Sequence, residues 1–388
     1  LEGSLSWAEF QQHFAQLPTY ENERANLALA RAMSVYSQMV EADSACCPAG
    51  SKIGRLGQLR QWMVLSKLSE GSTALARNQT GMREAARWHE RLASTQACRA
   101  TFAIEETDRS CFNDQLAAAI TLRRMAGDDD AVVAALVRAG NAHPHAATHW
   151  RLPEQTPRVF HPSLLAQPWW IGDNFAVARA LESAWRSGAI ARDLERMGIL
   201  VDGVVRVGAT LEPGGAATTA AGAPAAFERI VSTGAPIRGR HQGDDQEGSG
   251  VWSEFMLFNG TSWLGERCER ASALCEVLRA SPEVAGTVTT ADGQSVTPQG
   301  QVTIFRLRAG AHILPHVGVT NRRLVLQFPL HGFEGVRFRV ASVWREYVMG
   351  RALVFDDSFE HEIVHGGERD RFVLYATLHH PELGEPVL

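Results

Sequence analysis

The chain has 388 residues, 45% hydrophobic and 21% charged, with a formal net charge of −5. That length predicts two domains, each with apolar material for its own core. The charge excludes a polybasic surface for nucleic acid or anionic lipid, and no run approaches the roughly 18 apolar residues of a membrane-spanning helix.

The opening "LEGSLSWAEF" has no initiator Met and no signal peptide, the pattern of a trimmed or mature form. Residues 1–150 read as helical. "NLALARAMSVYSQMV", "GQLRQWMVLSKL", "NDQLAAAITLRRM" and "DDDAVVAALVRAG" carry apolar residues at three- and four-residue steps. The last has an acidic start and a basic, glycine-bearing stop. Short connections predict antiparallel pairs in a repeat-like stack of the TPR (tetratricopeptide) kind, without a clear repeat consensus. His143, His145 and His149 in "AHPHAATHW" read as a solvated loop, because Pro144 breaks helical spacing and no acid or Cys accompanies them.

Residues 151–165 read as a connector. Pro153, Pro157, Pro162 and Pro168 punctuate the approach to Trp169 and Trp170, which read as packing anchors. One amphipathic helix follows, "NFAVARALESAWRSGAI". Then "EPGGAATTAAGAPAA" and "RGRHQGDDQEGSG" read as mobile low-complexity loops. From Val251 onward β-type segments dominate: "WSEFMLF", "QVTIFRLRAG", "RRLVLQFPL", "GVRFRVAS", "ALVFDDS" and "DRFVLYATL". Such a series predicts an antiparallel sandwich or jelly roll, the double-stranded β-helix included. The expected fold class is α+β and multidomain, helices over 1–150 and a β domain over 166–388.

Two histidines stand at strand ends, His316 in "ILPHVGVTN" and His361 in "FDDSFEHEIVHGG". In a jelly roll such positions can converge at the barrel mouth, where two imidazoles suit iron(II); the plainer reading is two ordinary strand-end histidines. Arg371 opens the strand "RFVLYATL". An Arg directed into a barrel needs an anion, and its planar fork matches a carboxylate; the plainer alternative is a salt bridge to a nearby Glu. A facial triad would put a carboxylate two residues after the first His. That position is Gly318, so a strict His-X-Asp/Glu reading fails.

"LPHVGVTNRRL…LVFDDSFEHEIVHGGERDRFVLYATLHHPEL" resembles the aspartyl/asparaginyl β-hydroxylase family of iron(II)- and 2-oxoglutarate-dependent oxygenases. "QPWW", "WSEFMLF" and "CERASALC" extend the likeness to residues 165–388. That family itself replaces the triad carboxylate with Gly, so Gly318 agrees with it. The resemblance implies a double-stranded β-helix preceded by a helical repeat domain, with His316 and His361 as the two protein ligands to Fe(II). It puts Arg371 on the distal carboxylate of 2-oxoglutarate, Gln327 beside the cosubstrate, and Arg323 on the acidic side chain of the substrate. Strand alternation sets Arg322 and Arg323 on opposite faces without saying which looks inward.

The implied reaction is O2-dependent hydroxylation of the β-carbon of Asp or Asn in a polypeptide, or of a related amino-acid-derived substrate, with 2-oxoglutarate converted to succinate and CO2. Asp356 and Asp357 would shape the turn and accept from the imidazoles' second N–H. His312, His365, His379 and His380 read as loop or supporting residues. Three positions depart from the family: Phe305 stands for a Ser, Val325 for an Arg and Gln327 for a His. They keep two rivals open, a different oxidative outcome such as halogenation with halide beside Gly318, and a degenerate oxygenase fold that only binds.

The resemblance also implies a disulfide between Cys268 and Cys275. Cys46, Cys47, Cys98 and Cys111 allow three further connectivities. The even cysteine count and the sequons at Asn78 and Asn259 point to a secretory compartment such as the endoplasmic reticulum lumen.

Overall fold

The computed structural model describes residues 79–94, 111–142, 150–201, 204–205, 210–211, 227–229, 237–238, 252–285, 287–289, 295–296, 300–383 and 386–387. Helix predictions over 26–40 and 57–68, the three-histidine tract, Asn78, the low-complexity stretches 212–226 and 239–250, Cys46, Cys47, Cys98 and the side chain of Cys111 lie outside the described residues. The chain divides into two compact units, Leu1–Pro153 and Glu154–Leu388.

In the first unit, helix α1 (Gln79–Ser94) packs on α2 (Cys111–Met125), and α2 packs on α3 (Asp130–Asn141). Met82, Ala85, Ala86, His89 and Ala93 recur at helical spacing and form the buried stripe of α1. Small residues allow close approach between axes. At Gly140 even a methyl group would strike Leu116 and Trp150. Arg123 ties the group together from α2, bonding Glu90 at 2.8 Å and Asp128 at 3.0 Å. The repeat-like expectation for this half depends on segments outside these helices.

Among the described residues, the second unit carries thirteen strands in two principal sheets, named in chain order. They are β1 (Trp169–Trp170), β2 (Thr210–Leu211), β3 (Phe227–Arg229), β4 (Ile237–Arg238), β5 (Trp252–Phe258), β6 (Val302–Leu307), β7 (His312–His316), β8 (Arg323–His331), β9 (Val336–Val340), β10 (Val343–Glu346), β11 (Leu353–Phe355), β12 (His361–His365) and β13 (Arg371–His379). The larger sheet runs β1-β11-β8-β13-β6-β5-β3-β2 and the smaller β10-β9-β12-β7-β4. From β6 onward the chain crosses between them, with β6, β8, β11 and β13 in the larger and β7, β9, β10 and β12 in the smaller. That crossing order is a jelly roll, the double-stranded β-helix expected above.

Period-two alternation sorts the side chains of the larger sheet. Phe305, Leu307, Val325, Phe355 and Val373 face inward, meeting Ile313, Phe338 and Ile363 of the smaller sheet. Ile304, Leu324, Leu326, Leu374 and Ala376 face outward. They are covered by Val177 and Leu181 of α4 (Ala176–Arg186), Ile190 and Leu194 of α5 (Ala189–Arg196), and Leu274 and Leu278 of α7 (Ser272–Arg279). Both faces of this sheet are therefore buried, which is why its strands read as nearly continuous apolar runs. A disulfide joins Cys268, in α6 (Gly265–Arg270), to Cys275 in α7. No helix among the described residues is long and apolar enough to cross a membrane.

Two expectations are corrected, and the charged stretch after Phe355 yields one further strand. The single helix over "NFAVARALESAWRSGAI" is two, because Gly188 adopts φ +72° and ends the first before the second begins. The charged stretch after Phe355 is a turn only as far as Glu360; His361–His365 is strand β12, with alternating burial. The connector 151–165 does not stand apart. From Glu154 it belongs to the second unit, where Gln155, Thr156, Phe160 and Leu164 are buried. The Gln155 amide N–H and the Glu154 carbonyl both bond groups of the 356–360 turn, which ties the strip to the β domain.

Candidate active site

His316 and His361 are cross-strand partners at the ends of β7 and β12. Their facing depends on a bulge. Ile313 pairs with Ile363, yet three residues of β7 span the distance that two residues of β12 cover to the His316–His361 pair. Ile313 points inward, so strict alternation would turn His316 outward. The one extra residue, in a segment where Pro315 has no N–H for the ladder, restores the inward side. The ring centroids lie 4.1 Å apart, and the His361 ring sits 5.6 Å from Phe355 and 6.2 Å from Phe338 in the interior.

Each imidazole is fixed through Nδ1. His316 Nδ1–H donates to the Leu314 carbonyl at 2.7 Å, and His361 Nδ1–H donates to the Phe359 carbonyl at 2.9 Å. A carbonyl only accepts, so in the neutral ring the lone pair lies on Nε2. Burial keeps the rings neutral, pushing His316 down to about 3 and His361 down to about 4. Two neutral imidazoles with oriented Nε2 atoms fit a borderline divalent metal. Among the described residues no group of three or more His, Cys, Asp and Glu gathers as a metal cluster.

The position that would carry a triad carboxylate is filled from elsewhere. A Cβ at Gly318 would lie 2.5 Å from the Asp357 carboxyl carbon, and Gly318 N–H donates to the Asp357 carbonyl at 2.6 Å. Glycine is required there because the Asp357 side chain occupies the space. Asp357 Oδ2 accepts from Arg323 at 2.9 Å, while its Oδ1 and the Arg323 Nε are buried without partners. Arg323 thus faces inward with Val325 and Gln327, and that carboxylate strengthens its hold on its proton.

Arg371 is 1% exposed and forms no ion pair among the described residues. Its Nη2 donates to Gln327 Oε1 at 2.9 Å and to the Tyr347 hydroxyl at 3.0 Å, and the Tyr347 O–H in turn donates to Gln327. The rings of Phe333 and Tyr347 flank the guanidinium at 5.3 and 5.2 Å. Its Nε is buried and unpaired. Neighbouring acids are engaged elsewhere: Asp370 by Arg306 at 2.7 Å and Glu360 by Arg339 at 2.7 Å. A buried cation with only neutral acceptors is an incomplete arrangement, and a carboxylate would complete it.

His316, His361, Arg323, Gln327 and Arg371 therefore all face the interior between the sheets. The replaced positions do too. Phe305 packs on Trp252 and Tyr375, each at 5.2 Å, and Val325 is fully buried. His312 lies outside, bonded to Glu362; His365 bonds the Arg369 carbonyl, and His380 the Leu165 carbonyl. Trp169 packs between Phe338 and Phe355, Trp170 against Phe175 and His380. Sequence reasoning missed Tyr347, which holds Arg371. It follows the fully exposed strand β10, so no periodicity signals its inward turn.

A family model described as aspartyl/asparaginyl beta-hydroxylase matches residues 227–381. The human aspartyl/asparaginyl beta-hydroxylase is 32% identical over 135 residues, 34% of this chain and 16% of that protein. Human aspartate beta-hydroxylase domain-containing protein 2 is 30% identical over 138 residues, 35% of each chain. The matches thus span about a third or less of those relatives' length. Among solved structures, a cupin-2 domain from Rhodospirillum rubrum is similar at 12% identity over 42% of this chain and 73% of that one, with a TM-score of 0.23. Residues 227–381 of this chain are therefore similar to the aspartyl/asparaginyl beta-hydroxylase family.

Proposed function

We propose that the chain is an iron(II)- and 2-oxoglutarate-dependent dioxygenase that hydroxylates the β-carbon of Asp or Asn residues in a polypeptide. The observation that carries this reading is the buried Arg371, held by neutral partners alone, in the same interior as two neutral imidazoles. His316 and His361 would hold the metal through Nε2, and Arg371 would bind the distal carboxylate of the oxoacid. When bound, iron and 2-oxoglutarate would supply the oxidising chemistry with O2 as the oxidant, one oxygen atom going to succinate as CO2 leaves and the other to the hydroxylated carbon.

The chain's own residues supply placement and exclusion of water. Gln327 and Tyr347 hold the Arg371 fork in one orientation, and Phe333 with the Tyr347 ring keeps water from it, which strengthens its pairing with an anion. Arg323, side chain partly exposed, is the cation available to an acidic substrate side chain. The helical first unit would present a polypeptide, and its repeat-like nature belongs to the same proposal, as does a secretory-pathway location.

Asp357 weighs against the halogenation reading, since an anionic carboxylate already fills the space beside Gly318 where halide would sit. The retained cation and imidazoles weigh against the purely binding reading. The test is anaerobic Fe(II) titration with 2-oxoglutarate, following the visible charge-transfer band in wild type and His361→Ala, then succinate formation in air. A band that depends on His361 is expected. Absence of both band and succinate would sink the dioxygenase reading.

A further inference from the structure

The segment 154–161 precedes the family-matched residues 227–381, yet it touches both turns that carry the candidate ligands. On the His361 side, Gln155 is completely buried. Its Nε2 donates to Asp356 Oδ2 at 3.2 Å and to Ser358 Oγ at 2.9 Å, while Ser358 N–H donates to Asp356 Oδ1 at 2.9 Å. Gln155 also bridges Phe359 through the backbone, and Glu360 N–H donates to the Glu154 carbonyl at 2.7 Å. Phe359 is the residue whose carbonyl orients the His361 ring.

On the His316 side, Val159 N–H donates to the Val319 carbonyl at 2.9 Å, next to Gly318. Asn321 closes a two-bond ring with the backbone of His161, accepting at 2.8 Å and donating at 2.9 Å. The two turns are also joined directly by the bond from Gly318 N–H to the Asp357 carbonyl. One strip of chain is therefore pinned at both ends to the two loops whose separation sets how far apart the imidazoles stand.

We infer that residues 154–161 form a clamp that positions the two imidazoles relative to one another, with Gln155 and Asn321 as its pins. This rests on the metal-site reading of His316 and His361. Gln155 touches neither metal nor substrate. It acts through the Asp356–Phe359 turn on His361, a supporting hydrogen-bond role of the kind whose loss costs tenfold to a hundredfold in metal affinity.

The test uses the full chain, with Co(II) and Mn(II) as probes under anaerobic conditions. Their dissociation constants and the Co(II) ligand-field spectrum are measured alongside thermal unfolding. Gln155→Leu and Asn321→Ala should each weaken Co(II) binding about tenfold or more and change the ligand-field bands. Asp193→Asn, which weakens a cap at the start of α7 far from the interior, should lower the melting temperature without moving either quantity. Folded Gln155→Leu or Asn321→Ala with wild-type affinity and spectrum would overturn the clamp. Should Gln155→Leu fail to fold, Asn321→Ala decides alone, since its side chain bonds only the His161 backbone. Wild type that binds neither metal, or binds with undiminished affinity in His361→Ala, would instead overturn the metal site itself.

Discussion

On the proposed reading, Arg371 is anchored for a ligand at the expense of the empty fold. Replacing it with Met leaves Gln327 still satisfied by the Tyr347 hydroxyl and removes a buried, unneutralised cation. Arg371→Met is therefore expected to hold stability level or raise it by about 1 kcal/mol, while 2-oxoglutarate affinity falls about ten- to a hundredfold, the worth of a charged hydrogen bond. Calorimetric titration and thermal unfolding read the two effects, and a variant that loses both together would contradict the account. Asp356 gives a second sign to check. Burial pushes its carboxyl up to about 7 from an unfolded value of 3.8, so the folded state holds the proton where the unfolded state has released it. Stability from this group is full below about pH 4 and is lost as pH climbs towards 7, by a few kcal/mol at the order of 1.4 kcal/mol per unit. Asp356→Asn should flatten that slope, with Gln155 turning its unpaired Oε1 to meet the new amide. An unchanged slope in urea titrations across that range would refute it.

At the scale of the element, the β7 bulge decides whether there is a site at all. Pro315→Val, which supplies the missing ladder N–H without changing the three-residue spacing, would let the ladder run in register from Ile313 with no bulge. The buried side chain of Ile313 contributes about 2 kcal/mol by staying inward, so His316 would turn out to solvent. Metal affinity should then fall more than a hundredfold while far-UV circular dichroism stays native; retained binding would mean the facing is set by something other than register. Legibility divides along the same line. Strands of the larger sheet, covered on both faces, announce themselves as Val, Leu and Phe runs. Strand β12 hides because its outward positions Glu362 and Val364 interleave with His361 and His365, so charge composition reads as a turn. Strand β10, exposed throughout, carries no burial pattern to find. Gln155 was equally hidden: a proline-punctuated strip reads as a connector, and only the tertiary fold reveals that its amide is buried against Asp356.

In the molecule as a whole, the β domain was readable as a jelly roll because alternation survives wherever a sheet has an inner and an outer face. The pairing of His316 with His361 was readable through the family motif and not through spacing, since the bulge that aligns them has no composition of its own. Which of Arg322 and Arg323 faces inward needed the register of β8, where Arg323 shares a face with Val325 and Gln327. The unneutralised buried guanidinium of Arg371 has a consequence beyond chemistry. A fold that carries an uncompensated charge gains stability from whatever anion neutralises it, by an amount that grows with the logarithm of the free concentration. In a cell that degrades unfolded chains, the standing quantity of this protein would then rise and fall with dicarboxylate supply. Its abundance would record the metabolic state even in molecules that never turn over a substrate.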